Sequence, residues 1–453
     1  MPSVRKQRVR FENLLDRPMA IEFTAPDQSS DGGVILLKAK DRQMGLTASL
    51  AAALRDQRDP TKVVHSIEAM LQERIYGIAC GYPDANDAAR LGRDPLVRMV
   101  CETAHERLAS QPTLSRLENA PTRTRLLRTA YAFTDSVLDC EQAKRRGRRV
   151  RRITIDVDPT EDRTHGQQCF AFYNAFYGSS CYLPMVTTVQ FGQEKEHYAV
   201  APLLRPGNAS GDANALAVLK RLLPRLRARF PKAKIRVRMD GAFATPEVFD
   251  WLETRRLRYA INMAKNDVLQ RLAAPWLDRV RQRAQFSGQT EKTYVAVWYQ
   301  AGTWDAPRRV IIKAEVTHLE GRRLRDNPRF VVTNAPDTPE DVYGFYALRG
   351  DVENRIKELK EGLRMDLTSC TRFLANQFRV LLTAAAYALY QQLRYDARDT
   401  ECARAQVGTL RERLMKVAAT VRKTVRRIVI EMPKAYFWLE SWQVIAARVG
   451  ACF

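Results

Sequence analysis

Four side chains that could take part in chemistry recur at helical spacing within residues 346–360, a stretch rich in good helix formers that we expect to be one helix. They are Tyr346, Arg349, Glu353 and Lys360. At about 100° per residue of an α-helix they fall within roughly 60° of one another, so one carboxylate would share a stripe with two cations and a phenol. Such a stripe is either a solvated face on which Arg349 and Glu353 form an ion pair, or part of a site that needs these groups side by side.

Further candidate carboxylates stand at the ends of two predicted strands. Polar and apolar residues alternate over 153–158, which predicts a half-buried strand with Asp156 and Asp158 on one face, about 6–7 Å apart. Residues 234–239 alternate in the same way and lead into Asp240. From the residues alone, the first two aspartates could bind a metal together, or one could merely orient or cap, and Asp240 could be an ordinary turn residue.

The spacing of the first four residues resembles the Y-x2-R-x3-E-x6-K (YREK) signature of bacterial insertion-sequence transposases that carry a DDE catalytic triad. In that family the glutamate is the third metal-binding carboxylate, and the other three residues lie near the phosphates of the DNA. The resemblance therefore implies that Glu353 binds metal and that Tyr346, Arg349 and Lys360 contact DNA.

Two upstream segments resemble the same family. Residues 153–168 are similar to its first catalytic segment as found in the IS-thirteen-eighty-like group, and 235–243 are similar to the segment that carries the second aspartate. The implied catalytic and metal-binding triad is Asp158, Asp240 and Glu353, with Asp156 as the backup for the first aspartate.

The resemblance spans about residues 30–395 and implies an α/β fold with an RNase H-like catalytic core. In such a core a mixed five-stranded sheet with flanking helices is interrupted by a β-rich insertion. The expected domains are a mainly helical DNA-binding region at 1–148, the first part of the core at 149–275, the insertion at 276–337, the last core helix at 338–372 and a helical region at 373–453. Within the last region we expect the basic residues 408–432 to be helical.

Metal ions and DNA are the implied partners. Phosphodiester cleavage needs an activated water, stabilised charge on the phosphate and help for the leaving oxygen, and two Mg²⁺ ions can supply all three. Mn²⁺ can substitute. The resemblance further implies double-stranded DNA, as inverted-repeat ends and as target, and a homodimer on the paired ends.

One candidate for DNA recognition lies near the end of the N-terminal region. Residues 108–119 resemble the turn and recognition helix of a helix-turn-helix, which would direct Thr113, Ser115 and Arg116 outward toward a major groove. An ordinary capped helix would show the same residues.

Two other features could also contact DNA. The run at 144–152 has seven basic residues in nine, including Arg148 and Arg149, and would suit phosphates or form a solvated linker. Trp298 in the predicted insertion could stack on a base, as could Trp304, the alternative for each being burial.

Composition agrees with a nucleic-acid partner. The 453 residues carry a net charge of +23, which favours a polyanion, with nucleic acid ahead of an acidic membrane surface. Hydrophobic residues at 45% exclude a disordered chain. The sequence shows no signal peptide or membrane span, and its eight cysteines form no Cys-x2-Cys pair, so we expect a cytoplasmic, nucleoid-associated bacterial protein without zinc.

Two other functions fit parts of this pattern. A transposase-derived DNA-binding protein without catalysis would need the basic segments but has no use for three carboxylates that face phosphate. An RNase H-like nuclease without strand transfer would use the same carboxylates and would fail to join the ends it cuts.

Overall fold

The computed structural model describes residues 8–11, 16–103 and 105–452 as a mixed α/β protein. Its strands are β1 (Arg8–Phe11), β2 (Met19–Glu22), β3 (Gln28–Ser29), β4 (Arg152–Pro159), β5 (Asp162–Arg163), β6 (Phe172–Asn174), β7 (Ser179–Tyr182), β8 (Met185–Phe191), β9 (Tyr198–Leu203), β10 (Lys234–Met239), β11 (Arg258–Met263), β12 (Glu291–Tyr299), β13 (Arg308–Thr317), β14 (Arg325–Asp326), β15 (Arg329–Thr333), β16 (Ala419–Lys423) and β17 (Ile428–Glu431).

Helices fill most of the remaining chain. The α-helices are α1 (Val34–Met44), α2 (Leu46–Leu54), α3 (Ile67–Cys80), α4 (Ala88–Leu91), α5 (Pro95–Val100), α6 (Gln111–Asn119), α7 (Arg123–Lys144), α8 (Ala215–Arg229), α9 (Pro246–Thr254), α10 (Asp267–Ser287), α11 (Pro339–Ala347), α12 (Gly350–Lys357), α13 (Phe373–Asp396), α14 (Val407–Leu410) and α15 (Leu439–Arg448). Two π-helical turns, Glu358–Gly362 and Arg411–Met415, follow α12 and α14. Across the described residues, none of these helices has the length and apolar character to cross a membrane.

The chain folds into two compact units. The first is built from the described residues of Met1–Gln43, Asp56–Leu117 and Gln392–Phe453, and the second from Met44–Arg55 and Glu118–Gln391. The two ends of the chain therefore fold together in the first unit. The five-part domain division made from the sequence remains a prediction.

The first unit contains a correction to the sequence analysis. Residues 408–432 were expected to be helical, but only α14 and the turn after it are, and β16 and β17 then form an antiparallel hairpin. β-Branched side chains such as Val421, Ile428 and Ile430 favour strands, and β16 also pairs with β3. The helical prediction for this segment was wrong because its strand partner comes from the other end of the chain.

The second unit is organised by one large mixed sheet. Its strands follow the order β12-β13-β15-β11-β10-β4-β8-β9, with β14 paired to β13. Strands β4, β10 and β11 run parallel to one another, whereas β8 and β9 form an antiparallel meander from β4. The strands expected at 276–337 are present, and β15 joins them to β11 in this same sheet.

Both faces of this sheet carry apolar contacts. On one face, Val342 of α11 packs into a buried cluster with Ala260, Ile311 and Val331. On the other face, the ring of Phe230, just after α8, lies 5.1 Å from the ring of Phe191. Phe191 pairs across the sheet with the buried Ile153 of β4. Buried on both sides, the central strands hold their ends in fixed positions.

Candidate active site

Asp158 and Asp240 lie at the same edge of the sheet. Strands β4 and β10 are parallel with Val157 opposite Met239, and each aspartate comes one residue later. Asp158 is 5% exposed. Asp240 caps the short turn that follows it, since its Oδ1 accepts a 2.9 Å hydrogen bond from the backbone N–H of Ala242. The alternation seen in the sequence therefore places two of the three predicted carboxylates side by side.

Arg349 joins all three predicted carboxylates. Its Nη2 lies 3.3 Å from Asp158 Oδ1 and 3.9 Å from Asp240 Oδ2. Its Nη1 lies 3.3 Å from Glu353 Oε1, whose side chain is otherwise largely exposed. Groups from β4, β10 and α12 thus converge on a single guanidinium.

The helix predicted over 346–360 is interrupted. Helix α11 ends at Ala347 and α12 begins at Gly350, so Tyr346 and Glu353 belong to different helices, and the prediction of one continuous helix was wrong. Glycine has a low helix propensity because it gains no side-chain contacts and loses much backbone freedom. The backbone N–H of Arg349 still donates a 2.9 Å hydrogen bond to the carbonyl of Tyr346, which keeps the two residues together.

Burial governs the protonation of this site. It raises the pKa of Asp158 to about 7, an effect that the Arg349 guanidinium opposes and the Asp240 carboxylate adds to. Burial also raises the pKa of Asp240 above its usual range, against the opposing hydrogen bond from Ala242. It raises the pKa of Tyr346 to about 12, so this phenol stays protonated at neutral pH. Burial therefore disfavours the charged forms of both aspartates, and a cation held there would favour them.

Asp156 lies deeper in the same face and has other partners. Its carboxylate accepts hydrogen bonds of 2.6 and 2.9 Å from Arg238 Nε and Nη2, and His197 Nδ1 lies 3.2 Å away. Burial alone would raise the pKa of Asp156, but the bonds from His197 and Arg238 bring it below its ordinary value. The structure brings Asp158, rather than Asp156, to Arg349. Sequence reasoning missed Arg238 and His197, because only the register between strands reveals them.

The remaining residues of the predicted stripe take separate positions. Lys360 Nζ donates a 2.7 Å hydrogen bond to the carbonyl of Glu161, three residues after Asp158, and so ties the turn after α12 to the segment that follows β4. The ring of Tyr346 lies edge-on to Tyr343, 6.2 Å away. Neither forms a direct bond to the carboxylates, and their contacts with DNA remain predictions.

The predicted recognition helix forms as α6. Arg116 is exposed, Ser115 is half-buried, and the hydroxyl of Thr113 shares a 3.1 Å hydrogen bond with that of Ser110. Ser110 immediately precedes the helix. The structure therefore leaves the DNA-contact prediction open.

The basic run at 144–152 divides into two parts. Arg148 and Arg149 are exposed. Arg145, by contrast, forms ion pairs with Glu141 and Glu194, which satisfy its charge within the protein. Only the exposed arginines are available for phosphates.

Trp298 and Trp304, the two candidates for base stacking, have opposite surroundings. Trp304 is 6% exposed and packs edge-on against Phe249 and Tyr299. Trp298 is 73% exposed on β12, so burial does not explain it. Its role in DNA contact remains a prediction.

The three carboxylates fit a divalent cation by their chemistry. No group of three or more His, Cys, Asp or Glu side chains in the described part of the chain lies close enough together to hold a metal ion. The guanidinium of Arg349 lies within 3.9 Å of all three carboxylates and brings a positive charge to them. Asp158, Asp240 and Glu353 offer only oxygen donors, as Mg²⁺ prefers, and burial raises the pKa of Asp158 despite the opposing charge of Arg349, so a further cation would favour its carboxylate form.

Comparison with known proteins identifies the family. Residues 11–451 match the family model described as transposase DDE domain, group 1, a match that includes all three carboxylates and Arg349. A search of curated proteins found no match. The chain therefore belongs to the transposase DDE domain family, group 1.

Proposed function

We propose that the protein is the DNA transposase of an insertion sequence. It binds terminal inverted repeats, cuts the DNA strands there as a metal-dependent endonuclease and joins the freed ends to target DNA. The observation that carries the proposal is the convergence of Asp158, Asp240 and Glu353 on Arg349 at one edge of the sheet. A protein that only binds DNA gains nothing from three carboxylates placed where a phosphate would lie.

An RNase H-like core is part of the proposal. The strand order β9-β8-β4-β10-β11 supports it, with an antiparallel meander on one side of β4 and parallel strands on the other. The first aspartate then ends the central strand and the second ends its parallel neighbour. Strands β12, β13 and β15 would be the β-rich insertion, although they extend the sheet of the core. The Tyr-Arg-Glu-Lys spacing supports assignment to the YREK subgroup and the IS-thirteen-eighty-like group.

Each residue of the site has a distinct task in this reaction. Asp158, Asp240 and Glu353 would hold Mg²⁺, which activates either a water or a DNA 3′-hydroxyl and stabilises charge on the phosphate when bound. Arg349 would exchange its carboxylate partners for phosphate oxygens, since its planar guanidinium can donate to two of them at once. Tyr346, protonated at neutral pH, would donate a hydrogen bond to the DNA backbone.

The proposed partners follow from charge and from the family. A net charge of +23 favours DNA, and the exposed Arg116, Arg148 and Arg149 are our proposed backbone contacts, beside Thr113 and Ser115 of α6. Lys360 and Trp298 complete the proposed contacts. We further propose a homodimer on paired ends and a place in the bacterial cytoplasm, on the nucleoid.

The test is an excision assay in cells. The donor is a marker flanked by the DNA that borders this gene, and wild type is compared with Asp158→Asn, Asp240→Asn and Glu353→Gln. We expect excision by wild type and its loss, by about 10³-fold or more, in all three variants. The matched control is Glu361→Gln, which should excise normally, since Glu361 is an exposed acid that pairs with Lys357 in the turn after α12.

The same assay separates the two other functions. Sequence-specific DNA binding by a stable wild type that never excises, with or without metal, would indicate a non-catalytic binding protein. Strand breaks without joined products would indicate a nuclease. Activity in Asp158→Asn together with its loss in Asp156→Asn would move the first catalytic position to Asp156.

A further inference from the structure

Exposed aromatic side chains cluster on a small sheet beside the three carboxylates. Strands β5, β7 and β6 form this sheet, which begins four residues after Asp158. Phe176, at the tip of the hairpin between β6 and β7, is 88% exposed, and Tyr173 is 67% exposed. Burial of a phenylalanine is worth about 1.5–3 kcal/mol, so a partner that covered these clustered rings would bind more tightly for it.

The hairpin tip is held in one conformation. The side-chain oxygen of Asn174 accepts hydrogen bonds from the backbone N–H groups of Phe176 and Tyr177, at 3.1 and 3.4 Å. Gly178 adopts a φ of +65° and closes the turn onto the Asn174 carbonyl at 2.8 Å. We call Asn174–Gly178 the aromatic turn. Because the backbone is fixed, a partner of Phe176 would pay little ordering entropy.

The loop at residues 205–213 joins the aromatic turn to the end of β10, which precedes Asp240. The side-chain amide of Asn174 donates to the carbonyl of Gly207 at 2.9 Å. The buried Arg205 then donates from Nη1 to the carbonyls of Ser210, Gly211 and Ala213, which folds this loop tightly. A Cβ on Gly211 would lie 2.4 Å from Ala242, in the turn that Asp240 caps.

The turn also lies close to the carboxylates themselves. Tyr177 is half-buried, with its ring centroid 4.9 Å from that of Phe176. Burial raises the pKa of Tyr177, and the charges of Asp240 and Asp158 raise it further. Lys360 fixes the start of the small sheet, since its Nζ donates to the carbonyl of Glu161 in the segment that leads into β5. Phe176 is thus mounted rigidly beside the place where a phosphodiester would react.

We propose that Phe176 stacks on a nucleobase next to the phosphodiester held by the triad and keeps the duplex unpaired there. The inference rests on the proposed function and adds that the site binds its DNA with an unpaired base next to the reacting phosphodiester. A base offers a flat π-face to an aromatic ring whatever its sequence, and the phosphates on either side suit Arg349 and the positive protein.

The test compares cleavage of two DNA substrates. Both are duplex oligonucleotides that carry one end of the element with Mg²⁺ present, one fully paired and one with two mismatched pairs beside the cut. Loss of stacking in Phe176→Ala should slow cleavage of the paired duplex by about 10- to 100-fold and leave cleavage of the mismatched duplex within about threefold of wild type. Phe176→Trp should keep wild-type rates on both. Phe286→Ala, which removes a ring that is 97% exposed on α10, is the matched control and should change neither.

A second readout does not depend on cleavage. 2-Aminopurine placed at each position around the cut should brighten when wild type or Asp240→Asn binds, and this rise should be absent with Phe176→Ala at equal saturation of the DNA. Equal slowing of Phe176→Ala on both substrates, or an unchanged fluorescence rise, would overturn the inference while cleavage by wild type upheld the proposed function. A change in the oligomeric state of the DNA-free protein on Phe176→Ala, measured by light scattering, would place the ring in a protein interface and would also overturn the inference. Failure of wild type to cut either substrate would overturn both.

Discussion

Arg349 Nη2 lies 3.3 Å from Asp158 Oδ1, so the residue just before α12 neutralises the aspartate near the end of β4, 191 positions earlier in the chain. This ion pair joins the helix that carries Glu353 to the sheet that carries the two aspartates. The same guanidinium lies 3.9 Å from Asp240 Oδ2 and 3.3 Å from Glu353 Oε1, so one cation faces all three carboxylates. Metal and DNA would then replace an existing charge balance rather than enter an uncompensated site.

Asp156 and Asp158 are two residues apart, and we predict that only the amide variant of Asp156 lowers the stability of the protein. Asp156→Asn leaves Arg238 buried without its carboxylate, and should lower the metal-free free energy of unfolding by about 3–5 kcal/mol. Asp158→Asn removes a charge that burial disfavours, and should leave that free energy unchanged or raise it by about 1 kcal/mol. Urea denaturation of the metal-free variants at pH 8 measures both. Similar losses in the two variants would show that Asp158 is also a structural residue.

Divalent metal should stabilise the protein through the same carboxylates. Mn²⁺ at about one hundred times its dissociation constant should add about 2.7 kcal/mol to the free energy of unfolding, provided that it binds only the folded chain. The gain should disappear in Asp240→Asn and persist in Glu361→Gln, as followed by thermal unfolding over a Mn²⁺ titration. An equal gain in Asp240→Asn would place the bound ion elsewhere.

The ends of β4 and β10 could be predicted from sequence because strand alternation and strand termination are local. The same reasoning could not separate Asp156 from Asp158, since the partner that distinguishes them, Arg238, is 82 positions away and is brought close only by the strand register. The break before Gly350 was missed because a local pattern was followed too far. A regular spacing of charged residues continued across it, although a glycine stood at the junction.

The β16–β17 hairpin shows how composition can mislead. Basic residues at intervals of three and four through 422–427 imitate the charged face of a helix, whereas the strand partner of β16 is β3, near the other end of the chain. In the structure the loop between β16 and β17 is exposed, with Val425 fully so. A pattern made from neighbours along the chain cannot report a pairing of this kind.

We predict that this hairpin adds to the affinity for DNA without adding sequence preference. Lys423, Arg426 and Arg427 are exposed on a β-ribbon, so each could neutralise one phosphate. Replacing all three with alanine should weaken binding uniformly across sequences and reduce the slope of log affinity against log salt by about 2–3. Fluorescence anisotropy at several salt concentrations measures the slope. The double variant Arg322→Ala, Arg323→Ala, in an exposed loop of the other unit, is the control and should change it less.

Glu73 in α3 should make the first unit less stable as the pH rises. Its side chain is 3% exposed, Oε2 accepts a 2.9 Å hydrogen bond from the Ala109 N–H, and Oε1 has no hydrogen-bond partner among the described residues. Burial raises the pKa of Glu73 to about 8, from an ordinary value of 4.5, against opposing effects of that bond and of Arg74. The folded state therefore holds this proton more tightly than the unfolded chain, and stability must fall between about pH 4.5 and pH 8.

Glu73→Gln isolates this effect, because an amide of the same shape keeps the acceptor for Ala109 and cannot ionise. Relative to wild type, the variant should gain about 2–4 kcal/mol of stability between pH 5 and pH 8, and most of the gain should come above pH 6. Hydrogen exchange of the α3 amides, followed by mass spectrometry over that range, reports the local change. A difference in stability between variant and wild type that is the same at every pH would contradict the raised pKa of Glu73. A variant that becomes less stable than wild type as the pH rises would mean that the folded protein stabilises the Glu73 carboxylate.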